Sequence, residues 1–311
     1  GSDIKIVAAK DVTNTGKIES SGDQGGKIAI TAGETVTNEG DIEAKGLTLA
    51  GGDITIDAKN VKNIGVIDAS GKAAGGQVSI TATETITNEG EILAEGEVGG
   101  EVKLTATEIT QAVNSTISAR SLATADTEDE WLGYEEALRE AQQEQQPSIT
   151  IDATHTVTLT GKLDVSSIDK DGGTLTIKAD AAQLIDIELN AASSLATGGG
   201  IDIESSTTYL DNALVDVSGT IKSGQVFMRA PEPEVPAMPT APPEPVPVPG
   251  SNLIIQNTSI TASSRKGQGG KVYLTADTID LSHTLILATG DTAGGEIKVG
   301  GDWQGGPYLP Q

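Results

Sequence analysis

The sequence predicts an all-β chain, a right-handed parallel β-helix in which short strands coil into a stack of similar rungs. Three observations carry that prediction. Gly-Gly pairs open successive units at Gly25-Gly26, Gly51-Gly52, Gly75-Gly76 and Gly99-Gly100, with spacings of 26, 24 and 24 residues. Each pair is followed by an apolar–polar alternation, as in Lys27-Ile28-Ala29-Ile30-Thr31-Ala32 and Gln77-Val78-Ser79-Ile80-Thr81-Ala82. Aromatic residues are nearly absent, seven in 311, so the core must be filled by Val, Ile, Leu, Ala and Thr. Small and β-branched side chains suit strands stacked at a fixed close spacing.

Period-two alternation marks a strand with one buried face. A second short strand follows each of these runs, entered by a turn of the form Asn-x-Gly. Examples are Asn38-Glu39-Gly40-Asp41-Ile42-Glu43-Ala44 and Asn88-Glu89-Gly90-Glu91-Ile92-Leu93-Ala94. Asn and Gly both tolerate the left-handed conformation that such a turn needs. A unit of about 25 residues cannot bury its own apolar face, and stacking neighbours supplies the missing cover. The pattern predicts about eleven rungs and a rod of roughly 50 Å at the inter-strand spacing. Degraded copies at Gly172-Gly173, Gly199-Gly200, Gly269-Gly270 and Gly294-Gly295 extend it to the end of the chain, so residues 1–311 read as one domain.

Two excursions interrupt the period. Residues 121–147 hold Thr127 with Glu130 three positions on, a capping-box spacing, and an apolar stripe of Trp131, Tyr134, Leu138 and Ala141, so a short helix is expected there. Residues 231–249, from Pro231 to Pro249, alternate Pro with Glu and Val. They are expected to form an extended polyproline-like loop. Because rung walls repeat the same chemistry, these excursions are the expected place for partner binding, through Trp131, Tyr134, Leu138, Pro231 and Pro249.

The net charge of −25 argues against nucleic acid and against anionic membrane surfaces as partners. No apolar run approaches the ~20 residues of a membrane span. Cysteine is absent, so no disulfide framework exists. The opening Gly1-Ser2 reads as a cloning scar, which would make this a piece of a longer protein. No catalytic constellation, nucleotide-binding loop or cofactor motif emerges, and no catalysis or cofactor is expected. The two histidines, His155 and His283, are far apart in sequence and read as surface residues. Glu34, Glu84 and Glu108 fall in one expected column and are weak candidates for a divalent cation, since stacked carboxylates ~4.8 Å apart repel by about 1 kcal/mol in water. Asn14, Asn38, Asn63, Asn88 and Asn114 form the most regular polar column and read as a structural amide ladder.

The units Gly-Gly-x-Ile-x-Ile-x-Ala…Asn-x-Gly-x-Ile-x-Ala resemble the repeats of filamentous-haemagglutinin-like exoproteins, the passengers of two-partner secretion in Gram-negative bacteria. The segment from Gly294 to Gly305 is similar to a further element of such passengers. The resemblance implies a secreted or surface-displayed adhesive shaft, exported through an outer-membrane transporter and meeting a host or neighbouring cell, glycan or matrix. The Asn-Pro-Asn-Gly and Asn-Pro-Asn-Leu motifs of the family's secretion domain do not occur. A carbohydrate-active lyase or hydrolase, or a glycan-binding module, is the alternative that the same fold would allow.

Overall fold

In the computed structural model, residues 1–122, 146–231 and 250–300 are described. Their strands stack in parallel as a β-solenoid of about 10 turns, with successive turns about 26 residues apart. Each complete rung contributes three strand segments. In one rung these are Lys27–Ala32, Thr35–Asn38 and Asp41–Glu43, and they define a first, second and third face. The sequence pattern had separated only the first and third. The middle segment is continuous with the first in later rungs, as in Asp53–Asn63 and Gln77–Asn88, so no turn signal divides them. Register shifts at that corner, between Ala58 and Asn60 and between Ala106 and Glu108, absorb differences in rung length as β-bulges do.

The register is set by inward columns of like residues. On the first face Ile28, Ile54, Val78 and Val102 stack in line. On the third face Ile42, Ile67, Ile92 and Ile117 do the same, all with 0% exposure. A one-residue slip would turn each column out to solvent, so the register is strongly specified. The described core contains no aromatic side chain.

The Gly-Gly pairs close the rung. The second glycine donates its N–H to the carbonyl that follows the third-face strand, as Gly52 does to Ala44 and Gly76 to Ala69, both at 2.7 Å. Side chains are excluded there by close approach. A Cβ on Gly52 would sit 1.9 Å from the carbonyl oxygen of Gly26 in the rung before it. The chain also corrects one assignment: Thr174 pairs with Gly200, so the equivalent of Gly172-Gly173 is Gly198-Gly199, and Gly200 already belongs to a strand.

Neither excursion breaks the ladder. Glu101 pairs directly with Ser148 across the first, and Ser121 stays in the stack by bridging Gly96 and Ser167. The helix expected over 121–147, with Trp131, Tyr134 and Leu138, lies outside the described residues except for its ends, and those ends belong to rungs. The second excursion leaves after the first-face strand Gln225–Arg229 and re-enters at the second-face strand Asn252–Gln256, both of which pair with Gly200–Asp211. Pro231 is half-buried at its root, while Pro249 lies outside the described residues.

Replacing Ile67 by Ala is expected to cost about 2–5 kcal/mol in equilibrium denaturation, the range for emptying a fully buried aliphatic site. Gly76→Val should destabilise as well, by about 1–3 kcal/mol for overpacking, because its side chain would start 2.0 Å from the carbonyl oxygen of Gly52.

Candidate functional site

The amide column forms a real ladder over its first four members. Asn14 donates to Asn38 at 2.8 Å, Asn38 to Asn63 at 2.9 Å and Asn63 to Asn88 at 2.9 Å. Each of these Nδ2 groups also reaches a backbone carbonyl in the next rung, at Asp41, Val66 and Glu91 in turn. Asn38, Asn63 and Asn88 are at most 2% exposed, so the ladder lies inside the rod and offers nothing to a ligand; it ends at Asn88, whose Nδ2 finds no partner on Gln111. Asn114 is not its fifth member. Gln111 pairs with Asn88 and is buried, whereas Asn114 is exposed in a left-handed turn at φ 71°. The reason is length: the turn from Gln111 to Thr116 is two residues longer than that from Asn88 to Glu91. Counting forward from Ile109-x-Gln111 against Ile86-x-Asn88 would have found Gln111.

Glu34, Glu84 and Glu108 are not brought together. Lys59 stands between the first two in the stack and pairs with both, at 3.7 Å to Glu34 and 3.4 Å to Glu84. Glu108 falls one column away, paired with Thr85, because the corner bulge shifts the register. The repulsion that a metal ion could have relieved is neutralised by a lysine. Among the described residues no cluster of His, Cys, Asp or Glu has the arrangement of a metal site. His155 and His283 are both exposed.

The chemically distinct region lies elsewhere, on the outward side of the first face. Strand alternation points Gly200, Asp202 and Glu204 outward, with Thr174, Thr176 and Lys178 on one side and Gln225, Phe227 and Arg229 on the other. The next rung adds Lys271 and Tyr273, and the one after adds Glu296 and Lys298. Most rungs carry a side chain at the first outward position, among them Thr174, Gln225 and Lys271, but Gly200 leaves a notch. An open groove of about 380 Å³ follows, floored by Gly198, Gly199 and Gly224 and walled by Asp171, Thr197, Lys222, Asp202 and Phe227. A smaller hollow of about 140 Å³ continues it past Gly269-Gly270 to Glu296, sharing Lys222 and Gln225.

Phe227 and Tyr273 meet edge to face at the rim, with centroids 5.3 Å apart and planes at 72°, a favoured geometry for an aromatic pair. The Tyr273 hydroxyl donates to Glu296, and Lys298 lies 5.0 Å from the Tyr273 ring centre. Burial and then the adjoining carboxylate push the Tyr273 phenol up to about 12. The same hydrogen bond, followed by Lys298, holds Glu296 below the usual carboxylate range. Arg229 donates to Asp202 at 2.9 Å. The sequence signal for this region was the run Gly198-Gly199-Gly200, one glycine longer than the repeat requires, together with two of the few aromatics at matching positions on adjacent rungs.

Comparison with known protein families, with curated proteins and with solved structures finds no match.

Asn63→Ala should destabilise by about 1–3 kcal/mol, because it leaves the buried amide oxygen of Asn88 without its donor, while Asn114→Gly, which keeps the left-handed turn, should be near neutral in the same denaturation assay. Tyr273 has a folded pKa raised above its ordinary value of 10.0. Its neutral phenol therefore favours the fold, with that contribution complete below pH 10 and lost as the pH climbs towards about 12. A tyrosinate absorbance titration should show a late step that Tyr273→Phe removes.

Proposed function

We propose that the chain is a structural and adhesive shaft segment of a large exoprotein, secreted or displayed at the surface of a Gram-negative bacterium, and that it carries no catalytic centre. The observation that supports this reading is the unbroken parallel ladder, which runs through both excursions with the same aliphatic core at every level. Such a stack makes length its main property. It grows by adding rungs, and each rung leans only on its neighbours. That local contact pattern suits a chain exported in extended form through an outer-membrane transporter, since each turn of about 26 residues can join the stack as it emerges. The resemblance of the repeat to haemagglutinin-like passengers points the same way, and the acidic surface keeps a long rod soluble.

The experiment is to immobilise the intact chain on beads and measure attachment to epithelial and bacterial cells, in parallel with a product-release screen on pectin, alginate and neutral polysaccharides. Attachment without product release is expected. Reproducible chain cleavage that one acid-to-amide substitution abolishes would overturn the non-catalytic reading, and beads that adhere to nothing would overturn the adhesive one.

A further inference from the structure

We propose that the groove beside Gly200 is a binding site for a linear, neutral oligosaccharide lying along the rod axis. This inference deepens the adhesive part of the reading above and rests on it.

The shape of the groove comes from two features that coincide at one place. Most rungs carry a bare glycine pair at this corner, with Gln146-Pro147 and Ser223-Gly224 as departures, which makes a shallow trough down the rod, but outward side chains normally wall it closely. Gly200 removes that wall for one rung, and a Cβ there would meet no atom within 4 Å. The trough widens at this level into the cavity of about 380 Å³. From Thr174 to Glu296 the trough passes four rung steps, roughly 20 Å at the spacing of paired strands. The rise per rung is close to the length of one hexose along an extended glycan, so successive sugars would meet equivalent positions on successive rungs.

The lining fits a sugar. Phe227, half-buried at the rim and buttressed from below by Tyr273, offers an apolar platform to the C–H face of a pyranose. Around it stand donors and acceptors: the Thr174 and Thr197 hydroxyls and the Gln225 amide, which do both, the Lys222 ammonium, which donates, and the Asp171 and Asp202 carboxylates, which accept. Two of them are already held in place, Asp171 by the N–H of Thr197 at 3.0 Å and Asp202 by Arg229. Pre-positioned polar groups beside an aromatic anchor give orientation at small ordering cost.

The charge selects the ligand class. The protein carries −25 overall, and the groove sets two carboxylates, Asp171 and Asp202, against one cation, Lys222. A polyanion such as a uronate chain would be repelled on approach and on docking. A neutral, hydroxyl-rich chain meets no such barrier.

The test uses the full 311-residue chain on an array of linear glycans, followed by calorimetry with cellohexaose or whichever neutral hexasaccharide binds best, and with a hyaluronan hexasaccharide as the charged counterpart. Neutral chains should bind and the hyaluronan should not. Phe227→Ala should weaken binding at least about tenfold, the scale of losing an aromatic anchor. Gly200→Val is the sharper variant, because the open space outside Gly200 lets the protein fold while the side chain fills the notch, and it should also weaken binding at least about tenfold. Tyr209→Ala, on the second face, should leave affinity unchanged. Absence of any neutral binder, preference for the polyanion, or binding that survives both Phe227→Ala and Gly200→Val would overturn the proposal. The two readings fail separately: cell attachment that persists in Gly200→Val sinks the groove and leaves the adhesive shaft standing, whereas cleavage of a bound glycan leaves the groove standing and sinks the non-catalytic shaft.

Discussion

The structure depends on one constraint: each residue sits one inter-strand spacing, ~4.8 Å, from its own equivalent in the rungs on either side. A side chain is acceptable only if it can stack on a copy of itself or on a neighbour that complements it. Isoleucine, valine and leucine meet this condition by packing, and they fill the interior. Asparagine meets it by hydrogen bonding, because one amide supplies both the donor and the acceptor that the column needs. Carboxylates fail it by themselves, and the chain answers by setting lysine between or beside them. Lys59 between Glu34 and Glu84 is one case. Where Glu43 stacks directly on Asp68, Lys45 flanks the pair at 3.4 and 2.8 Å. Burial pulls the Lys45 ammonium towards neutrality, but the Asp68 and Glu43 carboxylates outweigh it and leave its pKa raised. Charge alternation here is a consequence of stacking as much as of solubility.

The same constraint explains where the aromatics go. A large ring inside a trough of this width would have to be matched by a small residue above and below, which a near-identical repeat cannot arrange. Phe227 and Tyr273 instead face outward, on the side of the strand opposite Val226 and Val272. Glycine obeys the rule in its strictest form, at the corner where backbone from adjacent rungs leaves little room for a Cβ, although Pro147 and Ser223 stand there in two rungs. A solenoid of this kind is uniform by necessity, and local departures from uniformity stand out as the places where something besides stacking has shaped the sequence.

Much of this was legible from the residues alone. The glycine pairs and the alternating runs gave the rung, its parallel stacking and the identity of the inward columns, because those features are set by side-chain size and period. The amide ladder was readable for Asn14 to Asn88 and misread at Asn114, where a two-residue insertion moved the turn but left the strand before it in place. The Glu column failed for a related reason: a corner bulge is invisible to position counting, and Lys59 holds the rung between Glu34 and Glu84. The groove was missed because the triplet Gly198-Gly199-Gly200 reads as a turn until the pairing of Thr174 with Gly200 places its last member inside a strand. Trp131, Tyr134 and Leu138 were singled out by composition, and their placement lies outside the described residues.

A stack of near-copies faces a hazard that an ordinary globular chain does not. A strand docked one whole rung too early or too late meets almost the same partners. Within the amide half of the rod, such a misalignment would put asparagine on asparagine again and cost little. The column of Asn14, Asn38, Asn63, Asn88 and Gln111, however, continues as Leu159, Leu184, Leu210, Ile255 and Leu281. At the junction of Gln111 and Leu159 the lining changes from amide to aliphatic once and does not change back. Gln111 tolerates that junction because its Nε2 reaches the Ser115 and Lys162 carbonyls; a misplaced rung would set a shorter asparagine against leucine or put leucine into the polar row, and both are expensive. That single change of lining acts as a fiducial mark. It gives an otherwise periodic chain one position that can be matched in only one way, and so fixes the count of rungs on each side of it.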